Sequence, residues 1–337
     1  MIIQSKTFVC EPHLSIVIIT YNQETTIAQT IESVLFQKCD FPFEIIIGED
    51  FGTDKTRLIC KEFQQKYPTK IKLILEDFNK GIVGNYSDCM KACKGKYIAQ
   101  SGGDDYWIDE FKLQKQVNFL ERNVGYGFVR TGGYYLKEKS NKMGEITFYS
   151  RVVGDNVFEI AKHGPVGIAS SICFETDLLR HIDFEEFIRR KFSMEDYPMH
   201  AIFSKHTKFG FIPDLCVVYR VTNGSASSPN NKKSKLKYYE GYIAIKLYLS
   251  ELYPDEIKCD EEVAKNFMLH KHLKFAFEEF NYSEAKKIAL QFKNPNRMEK
   301  KLKRFTENIL LFYLSSVYKK IIKVYEQTTS HLHDPCS

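Results

Sequence analysis

The chain has 337 residues, 43% apolar and 27% charged, with 26 Phe, 20 Tyr and one Trp, a composition that can bury a sizeable core and excludes a disordered or fibrous chain. The net charge is a mild +5, but residues 231–337 hold 20 Lys and Arg against 14 Asp and Glu, so the whole surplus lies in the last third. So small a surplus, with no RNA or DNA module beside it, argues against a nucleic-acid partner. Nine cysteines scattered without CxxC pairs indicate neither a disulfide framework nor a zinc site. The first residues, MIIQSKTFVCEPHL, lack a basic stretch ahead of a long apolar one, and no stretch reaches the roughly 18 apolar residues of a spanning helix. A reduced, cytoplasmic, non-spanning protein is expected.

In chain order, LSIVII (14–19), FEIII (43–47), IKLIL (71–75) and KYIA (96–99) are short, apolar and rich in β-branched residues, as buried parallel strands are. Between them Ile27, Ile31, Val34 and Leu35 share one helical face, and Leu58, Ile59 and Phe63 repeat the pattern after Asp54, an expected N-cap. Alternating strands and helices at this spacing predict a doubly wound α/β sheet, whose ligands sit at the carboxyl ends of the strands. Those ends lead into polar loops: Thr20-Tyr21-Asn22, then Gly48 to Asp54, then Asp77 to Gly81, then Gly102-Gly103-Asp104-Asp105. Further on come strand-like pieces at 126–129 and 212–219, a loop at 164–171 that enters a strand, a linker at 222–231 (TNGSASSPNN), and helices from about 236 to 325.

The pair Asp104-Asp105, after two glycines, suits a hard divalent cation, Mg²⁺ or Mn²⁺, which can in turn bridge phosphate oxygens. No GxxxxGK[ST] loop and no GxGxxG follows a strand, so a phosphate-bearing ligand held through a metal remains.

The succession LSIVIITYN, IIIGEDFGTDKTR, NKGIVGNYSDCMKACKGKYIAQ and GGDDYW, followed by FSMEDYP and VVYR, resembles the family 2 glycosyltransferases over about residues 12–225. The likeness is to the bacterial kind that builds capsular and cell-surface polysaccharides. It implies a GT-A fold, a Rossmann-like nucleotide-diphospho-sugar transferase with a mixed sheet flanked by helices; the helical region read over 232–330 lies outside the resemblance. It also implies inverting transfer of a sugar from a nucleotide-diphosphate donor, usually a UDP-sugar, with Mg²⁺ or Mn²⁺, to a glycan or lipid-linked saccharide. By the same resemblance Thr20, Tyr21 and Asn22 line the base and ribose, and Asp50 accepts a hydrogen bond from the uracil ring. Asn79, Gly81 and Asn85 close over the nucleotide. Asp104 ligates the cation, while Asp105 points toward the ribose or a backbone amide. Asp196 is the implied base, Glu195 positions it or touches the acceptor, and Arg220 faces the diphosphate or forms a structural ion pair. His163, His200 and His206 read as ordinary polar residues.

Three positions depart from the family pattern. Glu49 replaces the commoner Asp, Phe51 stands where Gly is common, and Gly102 replaces the first acid of the DxD-like motif. The last leaves a single metal-ligating carboxylate and keeps open a non-catalytic nucleotide-sugar or glycan-binding protein. In the tail, NILLFYLSSV (308–317) between cationic flanks predicts an amphipathic helix that either lies on an anionic membrane or packs its apolar face on the catalytic domain.

Overall fold

The computed structural model describes the backbone of residues 2–3 and residues 11–138, 141–146, 158–159, 164–221, 231–293, 295 and 297–317. The chain divides into two compact units, Met1–Ser228 and Pro229–Ser337.

The first unit is built on a ten-stranded mixed sheet. Its strands are β1 (Ile2–Ile3), β2 (Leu14–Thr20), β3 (Phe43–Glu49), β4 (Ile71–Leu75), β5 (Tyr97–Gly102), β6 (Tyr106–Trp107), β7 (Tyr126–Lys137), β8 (Lys142–Glu145), β9 (Ile172–Glu175) and β10 (Lys208–Val221). They run in the order β1-β4-β3-β2-β5-β9-β7-β10-β6, with β8 beside β7. The block β4-β3-β2-β5 is parallel, as continuous apolar runs predict, and it brings the ends of all four strands to one edge. Helices α1 (Ile27–Leu35), α2 (Thr56–Lys66) and α3 (Gly81–Ala92) make its crossovers, and α4 (Lys112–Arg122), α5 (Phe184–Arg189) and α6 (Asp196–Phe203) follow. Ile16, Ile18, Ile45, Ile47, Leu73 and Ala99 meet Ile27, Ile31 and Val34 in one core.

Two expectations change. Helix α2 buries Thr56, Cys60 and Gln64 with Ile59 and Phe63 beside them, while Leu58 stays exposed, because the helix sits rotated from the face its leucine suggested. The pieces at 126–129 and 212–219 are parts of two long strands, β7 and β10, paired in parallel with two irregularities within 212–217. Asp54 lies one residue before the N-cap position, yet its carboxylate accepts from the Thr56 N–H (2.9 Å) and so does a cap's work. Residues 222–230 of the expected linker lie outside the described residues.

The second unit contains helices α7 (Lys232–Leu252), α8 (Glu261–Glu278), α9 (Tyr282–Ala289) and α10 (Arg297–Glu307), and a further helical run at 309–317. Asn231, Asp260 and Asn281 cap the first three through their side chains. Leu273, Ala276, Phe277, Ala285, Leu302 and Phe312 form its core. No helix among the described residues is long and apolar enough to cross a membrane. The seven described cysteines are free thiols, and burial pushes their pKa values up.

Candidate active site

Parallel pairing of Thr20 with Glu49 and of Ile19 with Gly102 sets three polar loops side by side. On the first, Tyr21 is exposed and Thr20 is buried, its hydroxyl donating to Gln23 Oε1 (2.7 Å). Asn22 adopts a left-handed φ of 51° and accepts from the Thr53 N–H (2.7 Å), which ties this loop to the next.

Asp50 is buried, and one oxygen accepts from the Lys80 N–H (2.7 Å). Burial raises its pKa, opposed by backbone hydrogen bonds from Lys80 and Gly81. The Asn79 amide donates to the Asp50 carbonyl (3.3 Å) and accepts from the Gly81 N–H (3.1 Å), where φ is +76°. Asp50, Asn79 and Gly81 therefore form one cluster. Asn85 stands apart from it: its amide is buried and donates to the Gly48 carbonyl (2.9 Å), fixing α3 against β3. Glu49, fully buried, accepts from Arg57 and from the Gly52 N–H, and Arg57 donates to the Glu76 carbonyl (2.6 Å). Phe51, at φ 59°, holds a left-handed position that favours glycine; the Arg57 guanidinium lies 5.2 Å from its ring centre and offsets part of that strain.

The third loop leaves β5 at Gly102. Gly103 packs so tightly that a Cβ there would meet Thr20 Oγ1 at 2.6 Å and Gln23 Oε1 at 2.4 Å. Hydroxyls of α1 and its cap hold the turn: Thr26 and Thr30 both donate to the Gly103 carbonyl (3.0 Å each), and Thr30 donates to the Asp105 carbonyl (2.6 Å). Asp105 is buried; it accepts from the backbone N–H of Arg220 (3.0 Å) and from Ser170 Oγ. Ser170 Oγ also accepts from the Gly102 N–H (3.2 Å). The Arg220 guanidinium is itself nearly buried: it donates to the Asp104 carbonyl and to Gln29, approaches Glu138 at 3.5 Å and lies 4.7 Å from the Tyr106 ring centre. Burial raises the pKa of Asp104 and of Asp105, the latter further through Asp104.

That lock decides which acid can meet a cation. Both Asp105 oxygens are held by Ser170 and the Arg220 amide, whereas the Asp104 carboxylate has Gln23 as its side-chain partner and is the better placed of the two to meet one; it lies over the bare α-carbon of Gly102, where a Cβ would stand 2.9 Å from Asp104 Oδ1. Among the described residues no group of three or more His, Cys, Asp or Glu side chains converges as a metal site. One hard oxygen ligand fits Mg²⁺ or Mn²⁺ when substrate oxygens and water supply the rest.

Glu195 and Asp196 open α6. Asp196 accepts from the Tyr197 N–H (2.7 Å), whereas Glu195 makes no capping bond and its buried Oε2 has no hydrogen-bond partner. Burial raises both carboxyls, with Asp196 adding to the shift on Glu195. Tyr86, fully buried on α3, feels both acids and donates to Gln100 on β5. His200 is buried and neutral, with Nδ1 accepting from the Val166 N–H (3.0 Å), and burial pushes its pKa down to about 3. His206 stacks on His181, and His163 lies outside the described residues.

Ser170, Gln23, Gln29 and Thr30 support the site without any local motif, and Arg57 and Lys80 lie within quoted motif segments that give them no role of their own. The only mark of the first four in the sequence is polarity beside apolar runs.

Residues 15–177 match the family described as glycosyl transferase family 2. An uncharacterized protein of Mycobacterium tuberculosis is 42% identical over 110 residues, 33% of this chain; the match spans about a third (32%) of that relative's length. The UDP-Glc:alpha-D-GlcNAc-diphosphoundecaprenol beta-1,3-glucosyltransferase WfgD of Escherichia coli is 28% identical over 227 residues, covering 66% of this chain and 82% of WfgD. Among solved structures, TarS 1-349 of S. aureus in complex with UDP-GlcNAc superposes with a TM-score of 0.56 at 16% identity, covering 94% of this chain and 92% of TarS 1-349. The mixed sheet with flanking helices is the GT-A fold.

Proposed function

The chain belongs, through residues 15–177, to glycosyl transferase family 2, and on that premise we propose that it moves a sugar, with inversion, from a UDP-sugar to a hydroxyl of a glycan or lipid-linked saccharide in surface-polysaccharide synthesis. The observation that carries this reading is the division of labour among its acids. Asp50 is fastened by Lys80, Asp105 is locked by Ser170 and Arg220, Asp104 is left to meet a cation, and a separate pair, Glu195-Asp196, opens a helix. WfgD, named for a UDP-glucose donor and a diphosphoundecaprenol acceptor, supports both substrate classes.

In this mechanism Tyr21 offers its exposed ring to the base, and Asp50 accepts from the uracil imide N–H. Asn79 and Gly81 fix the loop that carries the Lys80 amide. Asp104 would hold Mg²⁺ or Mn²⁺, which when bound offsets charge on the departing diphosphate. Arg220 acts through the turn: its guanidinium holds the Asp104 carbonyl, and its backbone N–H holds Asp105. Asp196 takes the proton of the acceptor hydroxyl as that oxygen bonds to the anomeric carbon, and the bond to the diphosphate breaks with its electron pair going to phosphate. Burial raises the Asp196 carboxyl. Its pKa lies above the ordinary carboxylate range, closer to working pH, which suits a general base.

Gly102, which supplies no ligand, favours the rival reading of a non-catalytic nucleotide-sugar binder. Release of UDP from UDP-sugars with Mn²⁺ and saccharide acceptors separates the two. The transferase reading expects turnover that Asp196→Asn and Asp104→Asn abolish, and turnover unchanged in both variants would sink the mechanism.

A further inference from the structure

The helical run 309–317 holds to its own unit by a narrow stripe. Phe312 is fully buried, 4.5 Å from the Phe277 ring centre and 5.4 Å from that of Tyr282, and Ser316, one turn on, is buried beside it. Ile309, Leu310, Leu311, Tyr313, Leu314 and Val317 all stand exposed, Leu310 at 66% and Leu314 at 58%. At about 100° per residue these six side chains sweep roughly 200° of the helix circumference, twice the apolar stripe a surface helix needs to face a core. The run carries no charged residue, and Asn308 caps it, accepting from the N–H groups of Leu310 (2.8 Å) and Leu311 (3.2 Å), so this is a formed helix whose apolar side, with Tyr313 stacked on Phe280 at its edge, stands exposed among the described residues.

We propose that this face seats the protein on an anionic lipid bilayer, lying in the headgroup region with its apolar side chains among the upper acyl carbons. Charge complementarity selects lipid over a second copy of the chain. Exposed Lys300, Lys301 and Arg304 on α10 precede the run, and Lys319, Lys320 and Lys323 follow it in sequence. Two copies would bring these like charges together, whereas acidic headgroups neutralise them. Nine residues rise only about 14 Å, too short to span a bilayer and long enough to lie in its interface. The inference rests in part on the proposed lipid-linked acceptor, which would place the reaction at such a surface.

The test is co-sedimentation of the full chain with vesicles of phosphatidylcholine alone or mixed with phosphatidylglycerol, an assay that needs no turnover and so fails independently of the transferase reading. The chain is expected to pellet with the acidic vesicles, and the double variant Leu310→Glu, Leu314→Glu to bind them about tenfold or more weakly with an unchanged melting temperature. Lys300→Glu with Lys301→Glu is expected to erase the preference for acidic over neutral vesicles. Equal sedimentation of the chain and the leucine variant would overturn the proposal. So would a dimer, seen by light scattering, that the leucine variant breaks while neither form binds vesicles.

Discussion

The two units handle charge and apolar surface in opposite ways. The first buries several of its ionisable groups in pairs: Glu49 with Arg57, Glu44 with Lys72 at 3.5 Å, Asp105 with Ser170 and the Arg220 amide, and Lys112 with Gln116 at 2.8 Å beside the Trp107 ring. The second keeps most of its lysines in water and leaves a helix of apolar side chains uncovered. Buried polar networks cost stability unless every member is satisfied, and they fix geometry in return. An exposed apolar face costs nothing in the fold and acquires meaning only from what it meets. The first unit is thus organised around positions, the second around a surface.

The largest effect that would break this contrast is at Asp196. Asp196→Asn should lower kcat by a factor on the order of 10² to 10⁴ while stabilisation by UDP-sugar in a thermal-shift assay stays the same; a loss of binding equal to the loss of rate would make the residue a structural one. Next in size, Phe312→Ala should destabilise the second unit by about 3 to 5 kcal/mol in urea unfolding, because it removes the fully buried aromatic side chain by which 309–317 enters that core. By contrast, glutamate at the exposed positions 310 and 314 should change stability by about 0.5 kcal/mol or less.

Arg220→Ala should cost about 2 to 3 kcal/mol and raise the cation concentration needed for activity, since the Asp104 carbonyl, Gln29 and Glu138 lose their common partner. Arg220→Lys should recover only part of this, as an ammonium cannot reproduce the guanidinium fork.

A further effect is one of pH. Glu195 has a folded pKa raised by burial to about 8 from an ordinary value of 4.5. Its contribution to stability is complete below pH 4.5 and is lost as pH rises toward 8, because the unfolded chain ionises freely and the folded one does not. Melting curves should therefore show Glu195→Gln gaining on the wild-type chain across that window, with no such trend below it. Two parallel curves would mean that Glu195 is solvated.

Much of the fold was legible in the sequence because its signals are local. Strand β4 was readable to the residue, and the core face of α1 follows from Ile27, Ile31 and Val34. The family was legible because its motifs sit at the ends of strands, where spacing is set by the sheet. The rotation of α2 was not, since Leu58 is as apolar as Ile59 and only the neighbouring strands choose between them. Nor was the reason Phe51 is tolerated, which depends on Arg57 lying beside its ring.

By itself, the sequence determined the strand-and-helix alternation, the edge on which the acids gather, the family, and the segregation of the basic surplus into the last third. Only the tertiary structure decided what each acid is free to do. Asp104 and Asp105 are neighbours of one chemistry, yet Ser170, 65 residues on, and Arg220, 115 residues on, occupy the second and leave the first. The tertiary structure likewise decided that Phe312 and Ser316 turn inward while six apolar neighbours do not. Burial and hydrogen bonding depend on which distant segments the fold brings into contact, and no local pattern of residues carries that information.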